Sequence, residues 1–317
     1  MSADDIREAV RHIPAEFGHS PQFISTPLSA LAGREVVVKV ETVNPIGAFK
    51  GRGAWLAVQR LVEQGRAAAG VVAASTGNFG QAVAYAGRAF GVPVTVFADE
   101  NANPRKLERI RGFGASVVRA GGDFDAAREA SVAHARRSGA DLLVDGQDEN
   151  IAWGAGTMAV EVTDAIGHGR LPALVAAYVP VGNGSLIWGV GEWLKHAAPG
   201  CRVIGVQSEA APSMTLSWRE GRPIETETAA TRAGGIATRV PVPEALAAMR
   251  VVVDDMVLVS EAALDEARGT LQAALGITVE LAAAASLAGL LASPPPGEGA
   301  VLLIVTGSNV EPAASDG

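Results

Sequence analysis

The chain holds four lysines among its 317 residues, and one of them stands where covalent chemistry is expected. Lys50 lies in Asn44-Pro45-Ile46-Gly47-Ala48-Phe49-Lys50-Gly51-Arg52-Gly53-Ala54. A valine-rich run over residues 35–41 reads as a buried strand, ends in a turn signal, and is followed by a helical pattern over 48–63. Lys50 therefore falls in a first helical turn, where exposed backbone N–H groups carry partial positive charge and disfavour a structural cation. A lysine held neutral by its surroundings and used to form an imine is well placed there. The other three suit plainer roles. Lys39 sits on the strand, Lys106 lies among Arg105, Glu108, Arg109 and Arg111 on a solvated helix face, and Lys195 occupies a last helical turn that favours a cation.

Three further turns carry polar groups. Ala74-Ser75-Thr76-Gly77-Asn78-Phe79-Gly80-Gln81 offers hydroxyls and backbone amides at a helix start, suited to a carboxylate, although alone it reads better as an ordinary N-cap. Val179-Pro180-Val181-Gly182-Asn183-Gly184-Ser185-Leu186 offers a cradle of N–H groups for a phosphate. Its glycines, at 182, 184 and 189, do not give the dinucleotide spacing, and no Walker lysine follows, so a nicotinamide-dependent oxidoreductase is disfavoured. Val305-Thr306-Gly307-Ser308-Asn309 places a hydroxyl at the end of the last strand, able to meet a heteroaromatic nitrogen or merely to close a turn.

The elements that must position these turns alternate. Strands are predicted over 71–75, 94–98, 117–120, 142–145, 174–181, 203–207 and 301–305. Helices are predicted over 78–90, 104–111, 124–137, 151–166, 186–196, 261–275 and 281–291, with a mixed stretch from 207 to about 249. This is the α/β pattern of parallel sheet with helices on both faces, and its strand-to-helix turns form the ligand edge.

Composition narrows the function. A net charge of -8 without a long basic run argues against nucleic acid or an anionic membrane as partner. The single cysteine and an N-terminus lacking a basic and apolar leader pattern lead us to expect a cytoplasmic location. The five histidines show no metal-binding spacing, so no metal is expected. An imine-forming lysine, a lone-phosphate cradle and a hydroxyl for a ring nitrogen together call for pyridoxal 5′-phosphate as cofactor.

NPIGAFKGRGA, ASTGNFGQA, VPVGNGSLI and TGSN occur in the order found in fold-type II pyridoxal-phosphate enzymes. The chain most resembles their serine/threonine dehydratase branch, the threonine ammonia-lyases and serine racemases, over roughly residues 25–310. The resemblance implies two open twisted sheets flanked by helices, with the cofactor in the cleft between lobes. Residues 1–69 and 149–317 would form a large cofactor-binding domain and 70–148 a small mobile one. It implies Lys50 as the Schiff-base lysine, with Thr76 as a second catalytic residue. Ser75, Thr76, Gly77 and Asn78 would bind the substrate carboxylate, Asn78 also facing the cofactor's phenolic oxygen. Gly182, Asn183, Gly184, Ser185 and Leu186 would hold the phosphate, Thr306 the pyridine nitrogen, and Phe49, Gly235 and Glu280 would line the ring.

The chain departs from that family's pattern in several places. The phosphate turn reads Gly-Asn-Gly-Ser in place of four glycines, and the ring-nitrogen residue is threonine where serine is usual. Ala233-Gly234-Gly235 lacks the aspartate of Ala-Asp-Gly, Phe79 replaces a histidine, and Gln207 stands where serine racemases have a glutamate metal ligand. The implied activity is β-elimination from a 3-hydroxy amino acid, threonine or serine first, giving a 2-oxo acid and ammonia. A β- or γ-replacement synthase shares the same lysine, loop and cradle and stays open, as does an effector-binding relative without activity. A homodimer is expected, and no C-terminal regulatory domain.

Overall fold

The computed structural model describes residues 3–310. In chain order its elements are α1 (Ala3–Ala9), β1 (Gln22–Ile24), α2 (Thr26–Ala32), β2 (Val36–Val40), α3 (Lys50–Glu63), β3 (Val71–Ala74), α4 (Asn78–Phe90) and β4 (Val94–Ala98). Then come α5 (Pro104–Gly112), β5 (Ser116–Arg119), α6 (Phe124–Ser138), β6 (Asp141–Leu142), α7 (Glu149–Gly167), β7 (Leu174–Pro180) and α8 (Ser185–Ala197). The chain closes with β8 (Arg202–Ser208), α9 (Ser213–Glu220), α10 (Pro243–Val252), β9 (Asp255–Val259), α11 (Glu261–Leu275), α12 (Ala285–Ala292) and β10 (Ala300–Val305).

Two sheets result, with strand orders β1-β2-β10-β7-β8-β9 and β5-β4-β3-β6. All pairings are parallel except β1 against β2, which is antiparallel and closes one edge of the larger sheet. The expected all-parallel pattern is corrected at that edge. Parallel strands covered on both faces need apolar residues at every position, and β2 and β10 are buried along their whole length. Separate apolar clusters fill the two faces of the larger sheet, and a third lies under the smaller one. Cys201 belongs to the first of these and is buried; burial pushes its thiol pKa up to about 12.

The architecture puts the chemistry where strands meet helices. Both α3 and α8 start at the carboxyl end of their sheet, and α4 starts at that of the smaller one. The helix carrying Lys50, α3, packs against both α4 and α7 and so sits between the sheets. Expected and observed boundaries agree within two residues for most elements. The strand expected over 142–145 is corrected to Asp141–Leu142, and the helix expected over 281–291 opens with a 3-10 turn over Leu281–Ala284 before α12. Among the described residues, no helix is long and apolar enough to cross a membrane.

Candidate active site

Lys50 is the first residue of α3. Its Nζ donates to Asp145 Oδ2 at 2.6 Å and to Ser185 Oγ at 3.3 Å, and stands 4.6 Å from the centre of the Phe49 ring. The expectation of neutral surroundings is corrected here, because a carboxylate pairs with the amine. Asp145 sits in the loop after β6, a place the sequence reading assigned to strand and gave no function. Its other oxygen, Oδ1, accepts from Ser185 Oγ at 2.5 Å. Asp145 thus joins the lysine to the first residue of α8.

The cradle residues Gly182, Asn183, Gly184, Ser185 and Leu186 all line one cavity of about 1180 Å³ together with Phe49, Lys50 and Thr306. The N–H groups opening α8 lack partners within the helix, and its dipole adds positive potential at that end. A Cβ on Gly182 would come within 2.5 Å of the Gly235 carbonyl oxygen, so the turn admits no side chain there. Asn183 sends its Oδ1 outward to accept from Thr238 Oγ1 at 3.1 Å. Asparagine therefore replaces glycine in this turn with its side chain anchored on a neighbouring loop.

The Ser75–Asn78 loop forms the opposite wall. Ser75 Oγ accepts from the backbone N–H groups of Gly77 and Gly80, at 3.2 and 3.0 Å, so the hydroxyl shapes the entry into α4. Thr76, Gly77 and Asn78 are half-buried and face the cavity. Asn78 Nδ2 donates to Glu280 Oε1 at 2.9 Å, and Asn78 Oδ1 accepts from Asn309 Nδ2 at 2.7 Å. Burial raises the Glu280 pKa above the ordinary carboxylate value, an effect partly offset by the Asn78 amide and by the charges of Lys106 and Arg109. Phe79, standing where the related enzymes often have histidine, is buried in the core under the smaller sheet. Gln81, one helical turn beyond Asn78, is buried at the cavity wall and its Oε1 has no hydrogen-bond partner.

Thr306 is buried at the end of β10, and its carbonyl accepts from the Phe49 N–H at 3.0 Å. The last strand is thereby tied to the lysine turn. Gly235 and Glu280 line the same cavity, so every residue expected at the site from sequence lies on it. Asp145, Asn309 and Gln81 are additions that no spacing pattern marked. At Gln207, Oε1 accepts from the Thr215 N–H and hydroxyl at 3.0 and 2.9 Å. Among the described residues, no group of three His, Cys, Asp or Glu side chains could hold a metal ion.

These residues fit pyridoxal phosphate. A single amine, an anion cradle closed to side chains, and a buried hydroxyl-bearing residue converge on one cavity, and Gln81 leaves an unmatched polar atom at its wall.

Comparison with known proteins supports the same group. An L-threonine ammonia-lyase of Thermotoga maritima is 34% identical over 311 residues, covering 98% of this chain and 76% of that protein. An L-threo-3-hydroxyaspartate ammonia-lyase of Saccharomyces cerevisiae is 30% identical, covering 97% and 93%. A solved bacterial-type relative, the threonine deaminase of T.th., superposes with a TM-score of 0.90 at 31% identity, covering 98% of this chain and 99% of that one. Maize serine racemase gives a TM-score of 0.91 at 26% identity, covering 98% and 94%. Since the family profile described as "Pyridoxal-phosphate dependent enzyme" matches residues 15–307, the chain belongs to that family of fold-type II enzymes.

Proposed function

We propose that the protein is a pyridoxal-phosphate-dependent ammonia-lyase that dehydrates a 3-hydroxy amino acid, threonine or serine, to a 2-oxo acid and ammonia. The observation that carries this reading is Lys50 Nζ, held by Asp145 and Ser185 between the α8 cradle and the Ser75–Asn78 loop. Relatives at 34% and 35% identity over nearly the whole chain are named as L-threonine ammonia-lyases, which supports lyase over replacement chemistry.

In this reading Gly182, Asn183, Gly184, Ser185 and Leu186 hold the phosphate through backbone N–H groups. Phe49, Gly235 and Glu280 enclose the ring. Bound pyridoxal phosphate supplies a conjugated imine that takes up the electron pair left at the substrate Cα. Ser75, Thr76, Gly77 and Asn78 receive the substrate carboxylate through donors at the start of α4. Lys50, freed when the substrate amine takes its place, removes the α-proton as a neutral amine, and Thr76 adds a hydroxyl beside it. The β-hydroxyl departs with a proton as water, and the released enamine hydrolyses to the 2-oxo acid and ammonia. A neutral Thr306 hydroxyl at the ring nitrogen limits charge withdrawal into the ring and so favours prompt loss of the β-hydroxyl.

Residues 70–148, which contain the smaller sheet, are proposed to move as a unit against residues 1–69 and 149–317. A cytoplasmic homodimer completes the proposal. Exposed apolar side chains on the edge strand and the next helix, Phe23, Ile24 and Leu31, support an association surface.

The test is a 2-oxo acid assay with purified holoenzyme across a panel of 3-hydroxy amino acids, with and without an added thiol nucleophile. Formation of 2-oxo acid from threonine or serine is expected. A product that keeps its amino group and gains the nucleophile would identify a replacement enzyme instead. Within that assay Thr306→Val is expected to lower elimination about tenfold, as for loss of one hydrogen bond of ordinary strength, while retaining the cofactor. Equal loss of cofactor and turnover counts against the role given to Thr306.

A further inference from the structure

The amide of Asn78 is held in one orientation by a relay that begins in the turn before Lys50. Asn309 Nδ2 lies 2.8 Å from the Ile46 carbonyl oxygen, which can only accept. The nitrogen of the Asn309 amide is therefore identified by its partner, without reference to density or fit. The same nitrogen is 2.7 Å from Asn78, so the atom that Asn78 presents to it must be the acceptor, Oδ1. Asn78 Nδ2 is thereby turned toward Glu280, whose Oε1 and Oε2 accept at 2.9 and 3.3 Å. The far end of the relay is equally fixed. The Glu280 N–H donates to the Gly307 carbonyl at 3.0 Å, and the Asn309 backbone N–H bonds the Glu280 carboxylate. A Cβ on Gly307 would stand 2.1 Å from Glu280 Oε1, so the carboxylate is packed directly over that glycine.

Glu280 engages one face of the Asn78 NH2 group, and a primary amide has two hydrogens to give. The proposed function places Asn78 against the substrate and the cofactor's phenolic oxygen, so its second hydrogen is the one they use. We propose that Asn309 is a positioning residue, which sets the direction of the Asn78 amide and so decides whether the site offers a donor or an acceptor to the bound cofactor and substrate. This inference rests on the role proposed for Asn78. It assigns a use to the last residue of the Thr306–Asn309 motif, which otherwise only fastens the end of β10 to the Asn44–Gly47 turn.

The test is a double-mutant cycle on reconstituted holoenzyme, using Asn78→Ala, Asn309→Asp and the pair. Asn309→Asp puts an acceptor against both the Ile46 carbonyl and Asn78 Oδ1, which should turn the Asn78 amide over. Two properties are read: the cofactor absorbance bands, which report the hydrogen bonding of the phenolic oxygen, and kcat and KM for the substrate found in the panel. Asn309→Asp is expected to shift the bands in the same direction as Asn78→Ala and to lower kcat/KM about ten- to a hundredfold, as misorientation of a site group does. In the Asn78→Ala background it should change neither. Asn309→Ser, which shortens the side chain without adding charge, guards against a folding defect and should reproduce the band shift.

If Asn309→Asp lowers kcat/KM by the same factor in both backgrounds, or Asn309→Ser leaves the bands unmoved while Asn78→Ala moves them, the positioning role is overturned and the reading of Asn78 survives. If Asn78→Ala itself leaves the bands unchanged, the reading of Asn78 fails and the inference falls with it.

Discussion

Lys50→Ala is expected to lose both the covalent attachment of the cofactor and the elimination reaction. Reduction of the holoenzyme with borohydride followed by intact-mass and peptide analysis should place one pyridoxyl adduct on Lys50 in the wild-type chain and none in the variant. Turnover should fall by about 10³-fold or more, since the proton-transferring amine and the attachment point disappear together. The remaining lysines do not offer a substitute. Lys39 is buried on β2 against Glu161, and Lys195 pairs with Asp254 at 2.6 Å on α8. Lys106 lines the cavity from α5, and an adduct found there in the variant would overturn the assignment. Asp145 sharpens the expectation, because its carboxylate holds Nζ 2.6 Å away and keeps the amine at one point in the cavity. Lys50→Arg keeps the pairing yet provides no imine-forming amine, so it should be as inactive as the alanine variant and better folded.

The second large effect lies two residues along the same helix. Arg52 has no exposed surface and bonds Glu41 through Nε and Nη2 at 2.8 and 2.9 Å. Its Nη1 reaches Glu161 at 2.7 Å and Thr157 at 3.0 Å. Lys39 pairs with Glu161 from the other side and also donates to the Ser20 carbonyl at 2.9 Å. Two cations thus balance two carboxylates, and β2, α3 and α7 are joined through them. Arg52→Leu leaves an excess carboxylate inside the protein, at a cost of about 3–5 kcal/mol. That is a large part of the roughly 5–15 kcal/mol by which a protein of this kind is stable, and equilibrium denaturation should show it. The pair Arg52→Leu with Glu41→Gln is expected to recover much of the loss, since it removes the imbalance as well as the bond. No recovery would mean that Arg52 matters by shape and not by charge.

The pH dependence of stability follows from Glu161. Burial alone would raise its pKa, but the charges of Arg52 and Lys39 and their hydrogen bonds more than offset this and hold it below the ordinary carboxylate value. The folded carboxyl thus titrates below the unfolded one. Its contribution is present above the unfolded value, about 4.3, and is lost as pH falls through the folded value. Without Arg52 that depression is relieved, and the variant's stability should depend less on pH in this range.

The turns that carry the chemistry were legible because each announces itself locally: glycine and hydroxyl residues closing an apolar run, followed by helical spacing. Lys50, the Ser75–Asn78 loop, the α8 cradle and Thr306 all belong to this kind. What stayed hidden depends on approach through space. Asp145 carries no sign of its task, since the loop after β6 reaches Lys50 and Ser185 only when the two sheets are assembled. The Arg52 network draws its members from positions 20, 39, 41, 157 and 161, and no periodicity links them. The edge strands β1 and β9 were missed because an edge strand need not be apolar on both faces, so the unbroken runs that mark central strands are absent. The 3-10 start before α12 lies in a run of small apolar residues, where composition does not separate one helical hydrogen-bond pattern from the other.

Cys201 has a practical consequence. The single thiol of the chain is shielded by the apolar cluster beneath the larger sheet and stays protonated far into alkali, so maleimide reagents find no ready target on the native surface. Cysteines placed one each on α6 and α10 would therefore accept a dye pair selectively, and fluorescence transfer between them could follow the two lobes during turnover without any prior removal of native sulfur.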